Sequence, residues 1–168
     1  MSRIAYRIGT DTPAYEADDL SGKGAEITGG RWNEKGAAVV YAAESRSLAC
    51  LETLVHLAAG GLPLNRYLVG ISIPDPVWAA AQRETPVSLP VGWDAEPASR
   101  TSIGLGTTWL RSGRSAVLVI PSVIVPEECC VLVNPAHPDS ASISAVKLRR
   151  WLYDPRLTRA SAWQRQVE

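Results

Sequence analysis

The chain has 168 residues, with 17 basic and 17 acidic side chains and a formal net charge of zero. This length suits one domain with a real core, and 46 % apolar with 20 % charged residues is globular rather than disordered composition. Zero net charge argues against a broad footprint for duplex nucleic acid, and no apolar run approaches the roughly 20 residues of a bilayer span.

Met1-Ser2-Arg3 leads into Ile4-Ala5-Tyr6-Arg7 with no continuous apolar region of the secretory kind, so a cytoplasmic protein is expected. Residues 9–30 hold Gly22, Gly24, Gly29 and Gly30 and read as loop or short helix. The run Ala37–Ala43 predicts a strand, with Val39 and Tyr41 on one face and Ala38, Val40 and Ala42 on the other. A helix follows, capped by Ser45 or Ser47, with Leu48, Leu51, Val55, Ala58 and Ala59 at helical spacing and Gly60-Gly61 and Pro63 as the stop. Tyr67–Ile73 predicts a second strand, ended by Pro74 and Pro76. Residues 74–100 read as an irregular excursion with a short helix around Val77–Gln82. Thr107–Ser112 predicts a helix behind Gly104 and Gly106, and Ala116–Ile120 and Cys129–Val133 predict strands. The tail from Ser144 is mixed and basic, read as a solvated face or a docking surface for an acidic partner. The sum is an α+β fold, a single domain with short mixed sheets and few helices.

Cys50, Cys129 and Cys130 are odd in number, and two are adjacent in a strand, so they read as small buried hydrophobes rather than a disulfide framework. The two histidines, His56 and His137, offer no metal-ligand spacing. His137, in the turn Asn134–Pro138, reads as structural ahead of the alternative of a catalytic base.

Glu52 is the most informative side chain. At 100° per residue it stands beside Leu48 and Val55, at the apolar stripe of its helix. A carboxylate there needs a cationic partner or a cleft, unless it is a solvated edge residue paired with His56. Arg31 follows two glycines in Gly29-Gly30-Arg31-Trp32-Asn33, where the backbone can approach a ligand and the guanidinium offers a fork for phosphate or carboxylate. Trp32 is placed to stack on a ligand or to pack. Tyr41 has a ring for a planar ligand and a hydroxyl for a polar group, against the plainer reading of a core tyrosine. Ser122 ends a strand, with no nucleophile elbow around it.

These motifs, in order, resemble the RES-domain toxins of bacterial RES–Xre toxin–antitoxin modules. The Arg, Glu and Ser of the family name match Arg31 in GGRWN, Glu52 in VVYAAESRSLACLETLVHL and Ser122 in VIPSVIVPEE. The opening AYRI, Tyr41, the NPAHP turn and DPRL add support, from about Ile4 to Leu157. The resemblance implies an ADP-ribosyltransferase-like fold over 1–168, with its core at about 4–157 and a basic tail at 144–168. It implies cleavage of the nicotinamide–ribose bond of NAD+ as substrate, by hydrolysis or by phosphorolysis with inorganic phosphate, or ADP-ribosylation of a protein. No resident cofactor and no metal is implied. Arg31, Glu52 and Ser122 would be catalytic, and Arg31, Trp32, Tyr41 and Ser122 would bind the dinucleotide, Ser122 by positioning it. The partner would be an Xre-type helix-turn-helix antitoxin in a hetero-oligomer, with a homodimer as the free form. Nucleic-acid binding would belong to that partner.

Overall fold

A computed structural model describes residues 1–57 and 62–157. One seven-stranded sheet organises them: β1 (Ser2–Thr10), β2 (Val40–Ala43), β3 (Arg66–Pro74), β4 (Gln82–Arg83), β5 (Val117–Pro121), β6 (Cys129–Val133) and β7 (Ser144–Trp151), in the order β4-β5-β6-β2-β1-β3-β7. Neighbours are antiparallel except the parallel pair β4 and β5. The helices are α1 (Lys23–Thr28), α2 (Arg46–Leu54), α3 (Asp75–Ala79) and α4 (Arg100–Ser112), with a 3₁₀ turn at Pro138–Ser142. The α+β expectation holds.

Both faces of the sheet are covered. Ala5, Val69, Ile71, Val117, Val119, Val131 and Val133 form one core layer, joined by Val77 of α3. The opposite face carries two clusters. Trp109 and Leu110 of α4 pack with Leu118, Ile120 and Leu132, and Leu48 and Ala49 of α2 pack with Ile8, Ala43 and Leu68. Alternation in β2 falls as expected, with Val40 and Ala42 on the first face and Val39 and Tyr41 on the second. Cys129 and Cys130 likewise divide between the faces, and both are free thiols.

Several boundaries differ for physical reasons. β2 begins at Val40 rather than Ala37, because only from there does it pair with β6. α2 is capped by Ser45, whose side chain accepts from the Leu48 N–H, and ends at Leu54. Its stripe is Leu48 and Ala49, while Leu51 and Val55 are exposed. Ala58, Ala59 and Gly60-Gly61 lie outside the described residues. α4 starts at Arg100 behind the cap Ser99, so Gly104 and Gly106 lie inside the helix rather than before it. β1 is a nine-residue strand paired along its length with β3.

β7 gives the basic tail a structural part. Lys147 bridges Asp11 at 2.9 Å and Glu16 at 2.8 Å, tying the loop after β1 to the sheet edge. The hydrogen bond from Lys147, and then the Ala17 N–H, hold the Asp11 carboxyl below the usual carboxylate range. A lowered folded pKa contributes stability that is complete above the unfolded value, about 3.9, and is lost as pH falls through the folded one. Asp11→Asn is therefore expected to flatten the acid limb of the stability curve below about pH 4. Urea unfolding from pH 3 to 7 checks this, and curves for both proteins that fall in parallel would dismiss it.

Candidate active site

The turn Gly29–Asn33 is built around the Tyr41 hydroxyl. That oxygen accepts from the Trp32 N–H at 3.0 Å and donates to Asn33 Oδ1 at 2.7 Å. Asn33 is buried, and its Nδ2 donates to the carbonyls of Ala25, Glu34 and Ala37. Gly29 sits at φ 69°, and a Cβ on Gly30 would lie 2.8 Å from the Tyr41 oxygen. Both glycines are thus required by geometry, one by its left-handed backbone and one by close approach. Burial, above all else, pushes the Tyr41 phenol well above its ordinary value, so it stays protonated and can donate. With its hydroxyl bonded inside the protein, Tyr41 has only its ring to offer a ligand.

Trp32 packs. It is 3 % exposed and stacks on Trp93 with centroids 6.4 Å apart, so its ring faces the core rather than a ligand. Of the two readings of Trp32, stacking on a ligand or packing, the structure shows packing.

Arg31 leaves this turn half-buried. Its Nη1 donates to the Ala95 carbonyl at 2.7 Å and to that of Trp93 at 3.4 Å, and its Nη2 meets Glu96 Oε2 at 2.7 Å. Tyr41 lies within electrostatic reach of both Arg31 and Cys130.

Glu52, half-buried on α2, needs no cation. Its Oε1 accepts from Ser122 Oγ at 2.7 Å and from Cys130 Sγ at 3.3 Å. Among the described residues Oε2 makes no hydrogen bond and no ion pair reaches this carboxylate, so the pairing with His56 is not made. Burial and then the neighbouring Glu52 charge push the Cys130 thiol far above its ordinary value, keeping it a neutral donor. Ser122 is 1 % exposed, and its oxygen also accepts from the Ile124 and Val125 N–H groups. The Ser122 hydroxyl thus has three protein partners and almost no exposed surface, and it fixes Glu52 Oε1. α2 is fastened to the same turn again by Ser45, which donates to Glu128 at 2.7 Å.

β1 and β2 share a single pair, Tyr6 with Ala43, and then separate. A cavity of about 110 Å³ opens where they part, lined by Arg7, Gly22, Lys23, Val39 and Tyr41 among others. His137 is structural, as expected: its Nδ1 accepts from the Asp139 N–H at the start of the 3₁₀ turn. Cys130, Asn33 and Glu96 were not singled out by the sequence. The face that Cys130 shares with Tyr41 was a usable signal. None exists for Glu96, 65 positions from Arg31 in an irregular segment.

The arrangement is a half-buried carboxylate with one oxygen held by Ser122 and Cys130, on an α+β sheet in which Tyr41 lies within electrostatic reach of both Cys130 and Arg31. A crystal structure of the MbcT–MbcA toxin–antitoxin complex of M. tuberculosis has the same fold, with a TM-score of 0.64 at 18 % identity over 89 % of this chain and 85 % of that one. The RES domain family model matches residues 4–156, and the chain belongs to that family. It is 65 % identical to the "Prs ADP-ribosylating toxin" of Sphingobium sp. over 95 % of this chain and 99 % of that protein. It is also 41 % identical to "Toxin Res" of Yersinia enterocolitica, over 85 % of this chain and 93 % of that protein. Among the described residues no helix is long and apolar enough to cross a membrane.

Proposed function

We propose that this protein is the toxin of a toxin–antitoxin module and that it cleaves the nicotinamide–ribose bond of NAD+. The observation that carries this reading is the half-buried Glu52 carboxylate, with Oε1 fixed by Ser122 and Cys130 and no hydrogen bond to Oε2 among the described residues. In the reaction the C1′–N bond breaks, its electron pair passes to the pyridinium nitrogen, and nicotinamide departs neutral. Positive charge then develops on the ribose, as in other oxocarbenium-like transition states. A fixed anion beside that charge lowers the barrier without reorganising, and Oε2 would also accept from a ribose hydroxyl. Arg31 binds a phosphate of the dinucleotide, and the ring of Tyr41 packs on the nicotinamide riboside half. An acceptor oxygen or nitrogen attacks C1′ and loses its proton.

Water or inorganic phosphate as acceptor gives NAD+ depletion. The name of the 65 % identical relative favours a second acceptor, a protein side chain. The likeness to a toxin–antitoxin complex supports an antitoxin partner, which we take to be of the Xre helix-turn-helix kind. Purified chain incubated with NAD+, with and without phosphate, should release nicotinamide, and labelled NAD+ should mark a protein band only under the second reading. A folded, partner-free protein that leaves NAD+ intact under all these conditions would reject the proposal.

Ser122 serves here as a positioning residue. Ser122→Ala is expected to lower kcat several-fold with little change in KM and to cost about 1.5–3 kcal/mol of stability, the range for a hydrogen bond to a charged group. Ser122→Thr, which keeps the hydroxyl, should recover kcat. Equal kcat in all three proteins would show that the hydroxyl serves folding alone.

A further inference from the structure

Arg31 already holds an anion. Its Nη1 edge is fixed by the Ala95 and Trp93 carbonyls, which orient the guanidinium without neutralising it. Charge is balanced on the Nη2 edge by Glu96, at 2.7 Å. The two partners differ in freedom, since the Arg31 side chain is 19 % exposed and that of Glu96 81 %. The carbonyl side is also held firmly, because Trp93 is buried and stacked on Trp32. Glu96 has no such anchor: among the described residues Arg31 is its only hydrogen-bond or ion-pair partner. Withdrawing the Glu96 carboxylate would leave a half-buried, pre-aimed cation with two acceptors and no counter-ion. That is a site for a tetrahedral oxyanion, and phosphate suits the guanidinium fork.

We infer that Glu96 is an affinity-determining residue of this site, occupying the face of Arg31 on which a phosphate of the substrate must bind, so that ligand entry exchanges one anion for another. The inference rests on the NAD+ reading above and deepens it, since it makes the pyrophosphate half of the dinucleotide, rather than its rings, the part that displaces a protein group. An ion pair with one member this exposed is weak, so the exchange is within reach of a charged ligand.

Glu96→Gln keeps the shape and removes the charge. In the full chain, KM for NAD+ and the Kd for ADP-ribose should both fall about three- to tenfold, with kcat within about twofold and nicotinamide affinity unchanged. The sign separates this role from a structural one. If Glu96 mainly anchors the segment around Trp93, the variant loosens that segment and KM rises. A KM that rises or stays constant overturns the inference while wild-type turnover leaves the NAD+ reading standing. Titration with inorganic pyrophosphate keeps the two apart from the other side. Tighter pyrophosphate binding by Glu96→Gln upholds the anion exchange even in a protein that spares NAD+, and equal binding by both proteins rejects it.

Discussion

Glu52→Gln is expected to reduce the rate of nicotinamide release by about two to three powers of ten, the range for removing one fixed electrostatic partner of a transition state. The substitution preserves volume, and the amide can still exchange a hydrogen bond with Ser122, so the contact between α2 and the β5–β6 turn survives. What disappears is the negative charge that the proposed reaction uses beside the ribose. KM should rise far less than kcat falls, because the bond to the ribose hydroxyl is lost in both states while the developing cation exists only at the transition state. Steady-state kinetics paired with thermal melting decide the matter. A rate within threefold of wild type, at unchanged melting temperature, would remove Glu52 from the chemistry.

Gly106→Ala is expected to be the most damaging small substitution in α4. A Cβ at that position would lie 1.9 Å from the Trp32 carbonyl oxygen and 2.6 Å from its carbonyl carbon. Those are backbone atoms and cannot rotate away, so the helix or the Gly29–Asn33 turn must move. Overpacking usually costs about 1–3 kcal/mol, and a backbone collision belongs at or above the top of that range. Activity should fall as well, because Trp32 is joined to Arg31 and to the Tyr41 hydroxyl. Gly104→Ala is the matched control. Nothing lies within 4 Å of its Cβ, so it should stabilise by about 0.5–1 kcal/mol through helix propensity and unfolded-state entropy. Urea unfolding of both variants checks the pair, and equal stabilities would refute the packing argument.

Gly106 also shows why α4 was only half legible. Two glycines and three threonines in thirteen residues make a poor helix, and a start at Thr107 is what propensity supports. The true start depends on Ser99 capping the helix and on Trp32 packing against it from 74 positions away. β7 was hidden by an inverted pattern. Val146 and Leu148 face outward, while Lys147 lies inward with its charge met by Asp11 and Glu16. β1 was hidden by Arg3 and Arg7, which find partners in the Trp78 ring and the Asp19 carbonyl. In each case a long-range partner makes an unfavourable local choice acceptable.

The order of motifs along the chain was enough to indicate the family, the α+β class and the carboxylate on α2, because short-range pattern and residue chemistry are properties of neighbouring positions. Which oxygen of Glu52 is held, that Ser122 and Tyr41 direct their hydroxyls inward, and that Glu96 sits on Arg31 were decided by the tertiary structure. Hydrogen bonds between residues 65 to 78 positions apart depend on sheet order and register, which no local pattern encodes.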